Sequence, residues 1–105
     1  MYSIDTGGSG IEGQTILGPI SPIERPGMIN YRPYQATASI VDQRGQTVAK
    51  LQTDAKGRFR IPLKPGRYIL YPESLGSLPW AMEQSVVVSE GQFTEVRITY
   101  DSGIR

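Results

Sequence analysis

The chain contains no cysteine and no histidine in its 105 residues. Without cysteine there is no disulfide, no thiolate nucleophile and no thiolate metal ligand. Without histidine, the commonest general base, the commonest metal ligand and the usual partner of a nucleophilic serine are missing as well. An excess of one charge is lacking too: 11 Lys and Arg stand against 10 Asp and Glu, for a net charge of +1. No global field therefore recruits nucleic acid, anionic lipid or an acidic substrate. No apolar run approaches the length of a membrane-crossing helix. Nor do the first residues join a basic stretch to an apolar one, so no signal peptide is visible. Hydrophobic residues make up only 38% of the chain, below the usual globular share.

What is abundant is turn chemistry, with 12 Gly and 8 Pro. Many short strands separated by many reversals produce that balance. The clearest stretch runs from Ala36 to Tyr71. Two connections share the form Asp-x-x-Gly, Asp42 to Gly45 and Asp54 to Gly57. Asp at the start accepts hydrogen bonds from backbone N–H groups two residues on, and Gly at the close takes positive φ. A third turn, Lys64-Pro65-Gly66, uses proline to set φ and glycine to permit reversal. The strand-type residues between these turns predict four short strands in an antiparallel meander. Period-two alternation places Phe59, Ile61, Tyr68 and Leu70 inside and the neighbouring arginines outside. The strand from Thr47 to Thr53 breaks phase between Val48 and Leu51, which predicts a bulge.

Around this stretch, residues 1–9 read as a flexible, Gly-ending arm and residues 10–105 as one domain. Ile11 to Leu17 is a first strand, in which Gly13 predicts a bulge or a close backbone approach. Gly18 to Tyr34 holds four prolines and reads as a long irregular connection between sheets. Glu73 to Ala81 is a second loop, and two more strands follow, closing on Phe93 to Tyr100. The fold expected is all-β: a seven-stranded antiparallel β-sandwich, Greek-key in its connections, with the Pro-rich loop after its first strand.

The elements Val41-Asp42 with Gly45, Thr53-Asp54 with Gly57-Arg58-Phe59, and Pro65-Gly66 with Tyr68 resemble the carboxypeptidase regulatory-like domains. These domains belong to the wider transthyretin-like, or prealbumin-like, sandwich group. Gly10-Ile11-Glu12-Gly13 and the ending Tyr100 to Arg105 look like those of small bacterial envelope proteins of this type. The resemblance implies a non-catalytic module of a cell-envelope or secreted protein, acting as folding aid, spacer or binding unit. In that subgroup a cysteine pair often marks the Pro-rich loop; here the loop has none. The hydroxyisourate hydrolases, an enzymatic branch of the group, rely on histidines and a Tyr-Arg-Gly-Ser ending. Tyr100-Asp101-Ser102-Gly103 only mimics that ending, so the resemblance implies no such activity.

Three sets of residues are candidates for contacts. Arg58, Arg60 and Arg67, with Lys50, Lys56 and Lys64, could form a basic stripe, or simply a solvated face that discourages sheet-edge aggregation. Trp80, Tyr31, Tyr34 and Tyr71 could stack on a sugar or peptide, or plug the end of the sandwich. Asp42, Asp54 and Asp101 could ligate calcium, although the turn aspartates already have a backbone task. No enzyme and no cofactor are expected. The partner expected is another protein, met through a sheet edge or the Pro-rich loop. Carbohydrate bound by the loop aromatics is the alternative, and nucleic acid is not expected.

Overall fold

The computed structural model describes residues 8–23, 25–27 and 29–104. Eight strands follow in order: β1 (Gly10–Gly18), β2 (Arg32–Pro33), β3 (Thr37–Val41), β4 (Thr47–Gln52), β5 (Arg58–Pro62), β6 (Gly66–Pro72), β7 (Gln84–Val88) and β8 (Phe93–Asp101). All seven expected strands are present, and β2 adds a two-residue pairing inside the Pro-rich stretch. The described residues include no helix long and apolar enough to cross a membrane. Residues 1–7 of the expected arm lie outside the described residues. Ser9 is already tied to Leu63, whose N–H donates to the Ser9 carbonyl at 2.9 Å.

The strands form two sheets of four. In the first, β1 is central: β2 and β5 run antiparallel to it along one edge, and β8 runs parallel to it along the other. The second sheet has the order β4-β3-β6-β7, with every pair antiparallel. The chain is thus a two-layer β-sandwich whose first and last strands lie side by side.

The expected meander does not form. β3 and β4 pair as a hairpin, but β5 belongs to the opposite sheet, so neither β4–β5 nor β5–β6 is a pair. The two Asp-x-x-Gly turns are nonetheless alike. In each, the aspartate Oδ1 accepts two backbone N–H groups, from Arg44 and Gln46 in one and from Lys56 and Arg58 in the other. Turn chemistry alone therefore cannot say which sheet the next strand joins. β1 decides it: the Thr15 N–H donates to the Gly57 carbonyl at 2.7 Å and draws β5 onto the first sheet.

Inward positions follow the period of two. Phe59, Tyr68, Leu70, Val86, Val88, Val96, Ile98 and Tyr100 are buried with Ile11, Ala38, Ile40 and Leu51 in one core between the sheets. Each large aliphatic side chain so placed contributes about 1.5–3 kcal/mol relative to exposure. Ile61 is only partly buried. The β4 phase break is a bulge: Ile40 faces Ala49 and Val41 faces Thr47, leaving Val48 unpaired and turned outward. At Gly13 the expected close approach is found, since a Cβ there would run into the Val96 backbone.

Candidate functional site

β1 and β8 run parallel, so their C-terminal ends emerge together at one end of the sandwich. Three irregular segments gather there: the described residues of 19–31, residues 73–83 and the tail of residues 102–104. Each is fastened by hydrogen bonds. In the first, the buried Asn30 carries the load: its Oδ1 accepts the N–H groups of Ile20 at 2.9 Å and Ser21 at 2.8 Å. Its amide nitrogen donates back to the Ser21 carbonyl. In the second, Trp80 and Asp101 exchange backbone hydrogen bonds of 3.1 and 2.6 Å. The tail joins the other two: the Ser102 N–H donates to the Gly18 carbonyl at 2.9 Å, and its hydroxyl to the Pro19 carbonyl at 2.6 Å.

These ties place Tyr31 and Trp80 on the walls of one cleft of about 250 Å³, completed by Gly18, Pro19, Met82, Thr99 and Asp101. Both rings are held yet open, Tyr31 being 44% and Trp80 49% exposed. The Tyr31 ring lies over Gly18, where any side chain would displace it. Asp101 Oδ1 accepts the Gly103 N–H at 2.8 Å, which orients its carboxylate.

The other two candidate aromatics lie elsewhere. Tyr34 stacks tilted on Tyr100, with ring centroids 4.9 Å apart, and belongs to the core lining. Tyr71 stands on the outer face of the second sheet, beside a shallow apolar groove with Val41, Ile69 and Val87. Tyr100 itself is buried, and burial first, then the nearby Tyr34 and Glu73, pushes its phenol up to about 12. It is held neutral as a structural group.

The arginines are divided between the sheets. Arg58 and Arg60 are on β5 in the first sheet, whereas Arg67 is on β6 in the second. Arg60 is further occupied, with Nε 3.0 Å from Glu12 Oε1 and its guanidinium 3.6 Å above the Phe93 ring centre. Arg58 lines a broad groove with Gln14, Glu95 and Arg97, where charges of both signs meet. Lys50 pairs with Glu73 at 2.8 Å. Among the described residues no group of three or more acidic side chains gathers as a metal site; Asp42 and Asp54 sit in separate turns and Asp101 ends β8.

Sequence reasoning singled out Trp80 and Tyr31 but not Asn30, Met82, Thr99 or Ser102. Nothing local marks these residues, since their roles arise only where distant segments meet. One signal was available: a Tyr-Asp-Ser-Gly ending offers several polar groups in a row, suited to tying loops.

A sequence model of the carboxypeptidase regulatory-like domain matches residues 34–101. No curated protein matches the chain. Among solved structures, the chain is similar to GBS52, the minor pilin of Streptococcus agalactiae, with 15% identity and a TM-score of 0.67. That match covers 93% of this chain and 45% of the pilin. It is also similar to the major pilin subunit BcpA of Bacillus cereus, with 15% identity over 89% of this chain and 28% of that one, TM-score 0.61. The TIE protein of Bacillus anthracis matches over 88% of this chain and 17% of its own, with 16% identity and a TM-score of 0.56. The chain thus spans less than half the length of each of these structures. At such identities the likeness establishes a shared β-sandwich fold.

Proposed function

Since the chain belongs to the carboxypeptidase regulatory-like domain family, we propose that it is a non-catalytic structural module of a bacterial cell-envelope or secreted protein. It docks onto another protein through its loop end. The observation that carries this reading is where apolar surface is left uncovered. Of the 12 large apolar side chains exposed among the described residues, only Val48, Tyr71 and Val87 lie outside the three loop-end segments. Ile29 is 81% exposed and Leu75 fully so. Apolar side chains scattered singly over a surface need no explanation, but a gathered set marks a contact.

The edge beside β7 and β8 is less suited to adding a partner strand. There the Thr94 hydroxyl donates to the Val87 carbonyl at 2.6 Å, and the Gln84 amide to the Arg97 carbonyl at 3.1 Å. Acceptors that an added strand would use are already taken. Two of the similar structures are pilin subunits, which supports a place in a surface assembly.

Photo-reactive residues introduced at Ile29 or Leu75, and at Gln46 on the opposite end, test the reading. Envelope preparations of the producing bacterium are expected to give a discrete adduct from positions 29 and 75 and not from 46. The double substitution Ile29→Asp, Leu75→Asp is expected to abolish it. No adduct, or equal labelling from Gln46, overturns the docking end.

A further inference from the structure

We propose that the outer face of the first sheet binds a phosphate monoester between the guanidinium groups of Arg58 and Arg97. The site lies on the strands themselves, away from the loop end, so it is independent of the docking described there. Three observations support it.

First, the register sets the two arginines on either side of one residue. Gln14 of β1 is opposite Arg58 of β5 and opposite Arg97 of β8. Three neighbouring strands thus put these residues in one row, with the arginine Cα atoms two strand spacings, about 9.5 Å, apart. Alternation turns the row outward, because the adjacent Thr15, Phe59, Val96 and Ile98 are buried. All three line one groove of about 590 Å³, a size that houses small ligands. Gly13, which has no side chain, and Val96, whose side chain is in the core, also line it, so part of its floor is main chain.

Second, the two positive charges are unmet. Among the described residues neither guanidinium has an ion-pair or hydrogen-bond partner. Arg60, one row away, shows the contrast: Glu12 lies opposite it in register and pairs with it. In the row of Arg58 and Arg97 the corresponding place on β1 is held by neutral Gln14, whose amide donates to the Lys56 carbonyl at 2.9 Å. Glu95 also lines the groove, so two positive charges face one negative. Like charges sharing one groove repel, and a bound anion relieves that repulsion.

Third, two arginines select the form of the anion. Each guanidinium is a planar fork that grips two oxygens side by side. Forks coming from opposite sides need more than one pair of oxygens. A carboxylate has one such pair, and so has a phosphodiester. A phosphate monoester has three terminal oxygens and nearly two negative charges at neutral pH. Its fourth oxygen carries the rest of the ligand, for which the open groove leaves room.

Both arginines are exposed, so affinity is modest and screened by salt. The intact chain is titrated with methyl phosphate at constant ionic strength, and arginine Nε–H and backbone amide signals are followed by NMR. Saturating shifts are expected at Arg58, Arg97 and Gln14 at about millimolar concentration, and none at Arg67 on the second sheet. Dimethyl phosphate and acetate are expected to bind at least about tenfold more weakly. Arg58→Gln and Arg97→Gln each weaken methyl phosphate binding by about tenfold or more, whereas Arg67→Gln leaves it unchanged. Glu95→Gln tightens it, because the groove loses its one negative charge. The absence of a saturating shift overturns the proposal, as do equal shifts at all arginines. It is equally overturned by dimethyl phosphate or acetate binding as tightly, by binding that survives either arginine substitution, or by weaker binding in Glu95→Gln.

Discussion

The Tyr100 hydroxyl donates a hydrogen bond to the Glu73 carbonyl at 2.5 Å. The bond joins the last strand of one sheet to the residue following β6 in the other. Through it the segment that carries Trp80 starts from a point anchored in the core. Tyr100 is 1% exposed, so its hydroxyl has no water as a substitute at that contact.

Replacing Tyr100 by Phe keeps the packing against Tyr34 and removes this bond, and is expected to cost about 1–2 kcal/mol in urea unfolding. The same group sets an alkaline limit. Its pKa in the folded chain is raised to about 12 from the ordinary tyrosine value of 10.0, so the unfolded chain loses that proton first. The sign is therefore negative: the contribution is intact below pH 10 and declines as pH rises toward 12. The urea midpoint of the parent is expected to fall across that window more steeply than that of Tyr100→Phe. Parallel curves for the two proteins would count against this assignment.

The two Asp-x-x-Gly turns look interchangeable and are expected to respond differently to alanine. Gly45 and Gly57 have φ of 83° and 75°, so each substitution is strained by about 1 kcal/mol. Around Gly45 a Cβ meets nothing, whereas at Gly57 it runs into the Thr15 carbonyl and the Tyr34 backbone. Gly57→Ala is accordingly expected to cost at least about 2 kcal/mol more than Gly45→Ala, because backbone must shift between strands. Equal urea midpoints for the two variants would contradict the sheet-to-sheet crossing at Gly57.

Asn30 holds the Pro-rich loop closed through three side-chain hydrogen bonds. Asn30→Ala is expected to destabilise the fold by about 1–3 kcal/mol, since the Ser21 N–H loses its acceptor and Ile20 keeps only its bond to the backbone carbonyl of residue 30. Amide exchange should accelerate at Ile20 and Ser21 before it does in β3 or β6. Trp80 emission should shift as well, because the cleft wall at Tyr31 adjoins this clamp. Uniform acceleration across both sheets would mean that Asn30 has no local role.

Thr15 is fully buried, and its hydroxyl has no hydrogen-bond partner among the described residues. Its backbone, by contrast, is engaged with both Gly57 and Tyr34. Thr15→Val keeps the shape and the backbone pairing while removing the orphan polar atom. It is expected to raise stability by about 1 kcal/mol, read as a higher urea midpoint at unchanged m-value. A lower midpoint would show that the hydroxyl is solvated.

By itself the sequence determined where the strands lie, which of their side chains face inward and what the turns look like. These are local properties: alternation along Phe59 to Leu63 or Val96 to Tyr100, a phase slip at Val48, an aspartate accepting the N–H two residues on. Strand partnership is not local, because every strand edge offers the same row of donors and acceptors. Only the folded chain could bring Thr15 to Gly57, send β5 to the opposite sheet and split Arg58 and Arg60 from Arg67. The cleft has the same origin. Trp80 and Tyr31 were visible as aromatics in loops, but their meeting depends on the parallel exit of β1 and β8 and on Ser102 fastening one loop to the other.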